Sequence, residues 1–265
     1  MKTAKYLIAD VFTDKQFGGN QLAVFTDGRD LDSGVMQNIA REINYSETTF
    51  LLPPKSGGDY QIRIFTPARE LPFAGHPLVG SAHVVVSERM KEWGATVTNV
   101  SLETGVGMIS ATVRTENGQA GETTMTQPLP EITGTVEDPG DVAGALGVSP
   151  AEIQKTGLPV QKLHNGLTVL IVPVASLNTI QEMTPDFSAL KRLGTNYKLE
   201  TILAFTLETV LPDSNVHCRV FAPAAGVFED AATGSANGPL GYYLVRHAAV
   251  AAGQAGSIQS EQGFE

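Results

Sequence analysis

Three short runs of this chain hold residues able to move a proton, and two of them also hold glycines able to bring backbone amides against a ligand. His76 heads a helix-prone run, Ala74-Gly75-His76-Pro77-Leu78-Val79-Gly80-Ser81-Ala82. A helix N-terminus favours the neutral imidazole, so His76 could give or take a proton near neutrality; the plainer reading is a histidine that hydrogen-bonds its own turn. Glu47 stands in Asn44-Tyr45-Ser46-Glu47-Thr48-Thr49-Phe50, where a strand begins. Flanked by hydroxyls and leading into Phe50-Leu51-Leu52, it would be half desolvated, which makes a carboxyl group usable as a general acid or base. A solvated charge at a strand end is the ordinary alternative. Asp230, in Val227-Phe228-Glu229-Asp230-Ala231-Ala232, carries the same ambiguity and shares it with Glu229. Thr233-Gly234-Ser235-Ala236-Asn237 then opens a second helix-prone run. A glycine there admits a ligand close to the backbone, and the first free N–H groups of a helix attract an anion such as a carboxylate. An N-cap serine after a tight turn would look the same.

The other ionisable residues narrow the chemistry. His83 reads as packing or surface. His164, His217 and His247 have no acidic neighbours at metal-ligand spacing, and HxxxH, HxH and HExxH are absent, so no metal is expected. Arg69 and Glu70 would pair on the surface. No Walker pattern and no GxGxxG after a strand supports a nucleotide. The single cysteine, Cys218, excludes an internal disulfide framework, a thiolate cluster and two-thiol chemistry, and points to a reducing, cytoplasmic setting. A net charge of −10 with no basic run argues against nucleic acid and anionic membrane surfaces. No stretch reads as a signal peptide or a membrane span.

These groups must be held by a scaffold, and the scaffold is written twice. Arg63-Ile64-Phe65-Thr66-Pro67-Ala68 is echoed by Arg219-Val220-Phe221-Ala222-Pro223-Ala224, and each copy leads to one of the glycine-headed helices. A chain of 265 residues accommodates two lobes of about 120 to 130 residues. Strands are expected at Tyr6–Phe12, Gln21–Phe25, Thr48–Leu52, Gln61–Phe65, Val97–Leu102 and Gly107–Val113. A helix capped by Asp32 or Ser33 runs to about Ile43, with Val35, Met36, Ile39 and Ala40 on one face. The run from His76 to about Trp93 is apolar nearly all round (Leu78, Val79, Ala82, Val84, Val85, Val86), as a helix enclosed by sheet requires. The polar Glu116–Glu122 run reads as the linker, dividing residues 1–118 from residues 119–265. Beyond it, strands are expected at Thr123–Gln127, Gly166–Pro173, Leu203–Thr206 and His217–Phe221. Helices follow at Asp138–Leu146 and from Ser235 to about Ala251. Strands and helices mix without strict alternation, so the fold class is α+β.

With these residues in place, the chain resembles the PhzF-like phenazine-biosynthesis isomerase family, within the diaminopimelate epimerase-like superfamily. The resemblance lies in Asp10-Val11-Phe12 with Gly19-Asn20, in Asn44–Phe50, in Ile62–Pro67 with Glu70-Leu71-Pro72-Phe73-Ala74-Gly75-His76-Pro77, and in Phe221–Pro223 through Glu229–Ala236. These segments span nearly the whole chain in order. The resemblance implies two pseudo-symmetric lobes, each a curved mixed, barrel-like sheet around a central helix, with the active site in the cleft between them. It implies that Glu47 is the general acid/base and that His76 and Asp230 are polar groups around the migrating protons. Ser46, Gly75, Gly234 and Ser235 would bind substrate. The implied reaction takes trans-2,3-dihydro-3-hydroxyanthranilate to an aminoketone, Glu47 moving a proton from C3 to C1 with no metal or organic cofactor. In related epimerases a cysteine from each lobe transfers the proton; Cys218 lies outside both glycine-headed runs, which favours a carboxylate. A homodimer is implied, and a small carboxylate is the expected partner.

The end of the chain, Glu261-Gln262-Gly263-Phe264-Glu265, comes where family members usually continue into further strands, so the second lobe is expected to lack them. The sequence also admits two other functions: an isomerase or epimerase of another small amino or hydroxy acid, and a non-catalytic small-molecule binder. Retention of Glu47, His76 and Asp230 weighs against the second.

Overall fold

Apolar, β-branched and aromatic runs form the strands of two sheets, and helices with apolar faces cover them. The computed structural model describes residues 3–93, 96–251 and 253–263; Phe264 and Glu265, at the chain end noted above, lie outside them. The chain divides into two units, Met1–Gln127 and Pro128–Glu265.

The first unit runs β1 (Tyr6–Val11), β2 (Asn20–Phe25), α1 (Ser33–Ile43), β3 (Glu47–Leu52), β4 (Tyr60–Phe65), β5 (Glu70–Leu71), α2 (Gly75–Trp93), β6 (Val97–Thr104), β7 (Gly107–Glu116) and β8 (Gln119–Met125). Its sheet has the order β1-β2-β3-β4-β6-β7-β8, with β5 added to β4. Two pairings are parallel, β2–β3 and β4–β6, and each needs a crossover, supplied by α1 and α2. The sheet curls around α2, which packs against β1, β2, β3, β6, β7 and β8. Leu78, Ala82, Val84, Val85 and Val86 are accordingly all buried. Ser81 and Thr49 share a fully buried hydroxyl–hydroxyl bond of 2.9 Å. Gly80 lets α2 come this close: a Cβ there would sit 2.7 Å from both Leu22 Cδ2 and Val11 Cγ2. On the other sheet face, α1 starts where Asp32 accepts the Val35 N–H, and buries Met36 and Ala40 against Phe25, Phe50 and Phe65.

The second unit runs β9 (Glu131–Val136), α3 (Gly140–Leu146), α4 (Pro150–Gln154), β10 (Val160–His164), β11 (Thr168–Pro173), α5 (Leu177–Gln181), α6 (Phe187–Tyr197), β12 (Thr201–Thr206), β13 (Val216–Ala222), β14 (Val227–Asp230), α7 (Gly234–Arg246) and β15 (Ser260–Gln262). Both faces of its sheet are covered, so its central strands read as unbroken apolar runs. Leu170, Val172, Ile202 and Ala204 pack with residues of α3 to α6, while Val169, Ile171, Leu203 and Phe205 pack with Ala236, Leu240, Tyr243 and Leu244 of α7.

The repeat extends well beyond the six-residue echo. Pairings β10–β11, β11–β12, β12–β13, β13–β14 and β13–β15 reproduce, in order and direction, β1–β2, β2–β3, β3–β4, β4–β5 and β4–β6. Arg63 forks onto Glu70 (2.7 and 2.6 Å) and lies over the Phe65 ring; Arg219 does the same with Glu229 (2.7 and 2.9 Å) and Phe221. Glu70 thus pairs across the β4–β5 reversal with Arg63, not with Arg69 as expected from adjacency. Glu103 of β6 accepts the backbone N–H groups of Lys55, Ser56 and Gly58. Its counterpart Glu261 of β15 accepts those of Val210 and Leu211, and the His217 imidazole at 2.9 Å. Burial pushes the Glu261 carboxyl up, but the donors of Val210, His217, Leu211 and Ser214 together outweigh it and hold it below its ordinary value.

The α+β class holds, and two boundaries move. Glu116–Glu122 is no linker but the turn of the β7–β8 hairpin: Asn117 and Gly118 both adopt positive φ (51° and 78°), the two-residue turn that matches strand twist. The strand expected at Thr123–Gln127 belongs to β8 and to the first unit's sheet. Helix α7 stops at Arg246 rather than near Ala251, because Ala248 turns left-handed (φ 51°) and His247 Nε2 is held 2.7 Å from Gln161 Oε1.

Urea unfolding tests the close approach at Gly80. Gly80→Val should cost about 2–3 kcal/mol by overpacking α2 against β1 and β2. Gly241→Ala in α7, where an added Cβ meets nothing within 4 Å, should instead gain about 0.5–1 kcal/mol. The Glu261 anchor should show in acid. Its depressed carboxyl contributes stability above about pH 4.5, the ordinary glutamate value, and loses it as pH falls through the lower folded value. Glu261→Gln should therefore unfold more easily at neutral pH, and its stability should fall less steeply than that of the wild type between about pH 5 and pH 3. Parallel curves would contradict this.

Candidate active site

Each unit gathers polar side chains at one end of its sheet. In the first, β3 runs antiparallel to β4 in the register Thr48↔Phe65, so β3 starts where β4 finishes. Glu47 opens β3, just after Asn44 closes α1 in a left-handed turn. Beyond β4 the chain makes β5, passes through buried Phe73 and Ala74, and enters α2 at Gly75 and His76. Residues 29 positions apart are thereby brought together: His76 Nδ1 lies 3.1 Å from Glu47 Oε2. The imidazole is 3% exposed and the carboxylate 13%. The contact is within ion-pair reach but lacks hydrogen-bond alignment at Glu47 Oε2. The carboxyl group is therefore largely screened from bulk water and lies next to an imidazole. Asn20, buried at the start of β2, lies at the same sheet end because β2 and β3 are parallel. Ser46 directly precedes Glu47, and Gly75 is buried beside His76.

In the second unit β14 ends at Asp230 and α7 starts at Gly234. Asp230, Thr233 and Ser235 are all buried. Thr233 occupies the N-cap position, yet its hydroxyl does not cap the helix; it lies 2.5 Å from Asp230 Oδ2. The Thr233 side chain is thus spent on a carboxylate rather than on the helix start. Gln262 of β15 binds the loop on three sides: Nε2 donates to the Asp230 carbonyl (2.7 Å) and Thr233 Oγ1 (3.0 Å), and Oε1 accepts from Thr233 N–H (3.1 Å) and Asn237 Nδ2 (3.3 Å).

Of the expected site residues, the structure sets Glu47 beside His76 in the first unit, and in the second it joins Asp230 to Thr233, the residue before Gly234. The sequence reading missed Thr233 and Asn237 as bonding groups, although both stood in the quoted motif. It missed Gln262 because that residue follows the loop it serves by 29 to 32 positions and reaches it only through the pairing of β15 with β13, and nothing local marks it. The remaining histidines are occupied elsewhere: His83 with Thr123, His164 with Thr168, His217 with Glu261 and His247 with Gln161. The acidic partner of His217, absent from its local sequence, arrives through β15. Among the described residues no group of three or more His, Cys, Asp or Glu side chains is placed to hold a metal ion, and no helix is long and apolar enough to cross a membrane.

The two sets of polar residues are not copies. Register equates Glu47 with Thr201, since Thr48 faces Phe65 as Ile202 faces Phe221. It equates Asp230 with Leu71, since Ile64 faces Leu71 as Val220 faces Asp230. One unit carries a carboxylate with an imidazole, the other a carboxylate with a hydroxyl and a helix start.

Comparison with known proteins follows these residues across the chain. The family model for phenazine biosynthesis-like proteins (PhzC-PhzF) matches residues 9–265. Trans-2,3-dihydro-3-hydroxyanthranilate isomerase of Pseudomonas fluorescens is 39% identical over 262 residues, covering 98% of this chain and 86% of the relative. The crystal structure of a PhzF-family phenazine biosynthesis protein from Bacillus anthracis superposes with a TM-score of 0.80 at 28% identity, covering 92% of this chain and 81% of the other. A hydroxyproline epimerase from Agrobacterium vitis shares the fold alone, with a TM-score of 0.63 at 15% identity over 92% of this chain and 77% of its own.

Proposed function

This chain belongs to the phenazine biosynthesis-like (PhzC-PhzF) family and is an isomerase, and from that premise we propose that it converts trans-2,3-dihydro-3-hydroxyanthranilate to an aminoketone without a cofactor. The observation that carries the reading is the buried contact between Glu47 Oε2 and His76 Nδ1. In this reaction Glu47 takes the proton from C3, the electrons of that C–H bond move into the ring diene, and the same carboxyl returns a proton at C1. The enol left at C3 becomes the ketone, so substrate and product differ only in where hydrogen and double bonds sit. One carboxyl group suffices, because it is base in the first step and acid in the second. His76 beside it accommodates the change of charge at Glu47. Asp230 is the second polar group near the migrating protons. The helix-start amides at Gly234 and Ser235 hold the substrate carboxylate and fix the ring's orientation; Ser46 and Gly75 line the Glu47 side. A homodimer and a cytoplasmic setting belong to the same proposal and rest on the family resemblance and the lone buried Cys218.

Incubation of the folded protein with this substrate in D₂O is the test. Substrate should disappear with deuterium entering at C1, and Glu47→Gln should slow turnover by about 10²–10⁴-fold. Unchanged substrate with the wild-type protein, or undiminished turnover in the variant, overturns the proposal; turnover of another small amino or hydroxy acid instead would reassign the substrate.

A further inference from the structure

Gln262 comes from a strand distant in sequence, yet its amide is committed on both sides. Thr233 N–H can only donate, so it must face Oε1; the Asp230 carbonyl can only accept, so it must face Nε2. The amide therefore has one possible orientation. Thr233 Oγ1 receives an Nε2 proton at 3.0 Å, which leaves its own proton to point at Asp230 Oδ2, 2.5 Å away. Asn237 closes the ring from the first turn of α7, donating to both Gln262 Oε1 and the Thr233 carbonyl. The backbone of Gln262 is fixed by parallel pairing with Cys218, and the adjoining Glu261 grips Val210, Leu211 and His217. A hydroxyl that would ordinarily cap α7 is redirected to a carboxylate by a side chain held this firmly.

We propose that Gln262 is a positioning residue for the reaction: it aims the Thr233 hydroxyl at Asp230 and so sets both that carboxylate and the opening turn of α7 toward substrate. This inference rests on the isomerase reading above for its kinetic consequence, but not for its geometry. Gln262 touches no reacting atom; it acts through Thr233.

The test is a double-mutant cycle in the full chain, with folding checked by circular dichroism. Gln262→Ala and Thr233→Val should each lower kcat by about 10- to 100-fold with KM changed by no more than about threefold, because misaimed groups slow the chemical step more than binding. The double variant should be no slower than the worse single variant, since both changes break one relay. Thr233→Ser, which keeps the hydroxyl, should stay within about threefold of wild type. A folded Gln262→Ala with wild-type kcat, or losses that multiply in the double variant, overturns the inference while leaving the isomerase reading intact. If wild-type protein leaves the substrate untouched, that reading fails and the positioning is decided by amide hydrogen exchange: Thr233 N–H should exchange at least about tenfold faster in Gln262→Ala, and unchanged exchange overturns the role of Gln262.

Discussion

Parallel pairing of β4 with β6 governs the first unit. Strands that run the same way cannot be joined by a tight turn, so the chain must leave the sheet at the end of β4 and return along its face. That return is α2, and its N-terminus has no choice but to lie near the end of β4. The antiparallel neighbour β3 begins at the same place. A carboxylate on the first residue of β3 and an imidazole on the second residue of α2 therefore meet as a consequence of connectivity, before any attraction between them is considered. The same constraint in the second unit, between β13 and β15, sets the start of α7 beside the end of β14.

Duplication supplied the frame, and divergence at a few positions supplied the chemistry. The forked Arg–Glu pairs and the carboxylates that grip the loops before β4 and β13 are retained in both copies, because each secures a chain reversal that either unit needs. Their partly buried guanidinium groups stack on Phe65 and Phe221, so charge and packing reinforce one another. By contrast, Glu47 corresponds to Thr201 in the other copy and Asp230 corresponds to Leu71. Those positions bear on no reversal, which leaves them free to differ.

Much of this was legible in the chain because it was local or repeated. Asp32 announced α1 by its capping oxygen, apolar residues nearly all round the turn from Leu78 to Val86 announced an enclosed helix, and the Arg-Φ-Phe echo announced two similar sheets. The misread linker was local too: Asn117-Gly118 is a hairpin signal that polarity obscured. What stayed hidden was non-local. Arg63 pairs with Glu70 rather than Arg69 meeting it because a strand reversal intervenes, and neither His217 nor Thr233 carries any mark of a partner more than 25 residues away. Side chains that orient other side chains leave no periodicity, since their spacing is set by the fold and not by a helix or strand repeat.

The three residues of β15 have a consequence in time as well as in space. Every bond that Gln262 and Glu261 make reaches back to residues between 208 and 238, which leave the ribosome well before them. During synthesis the sheet formed by β10 to β13 and the helix α7 can assemble while the loop from Asp230 to Thr233 is still without its tether. Long-range pairing of this kind is the slow part of folding. The loop from Asp230 to Thr233 thus gains its tether only when β15 docks.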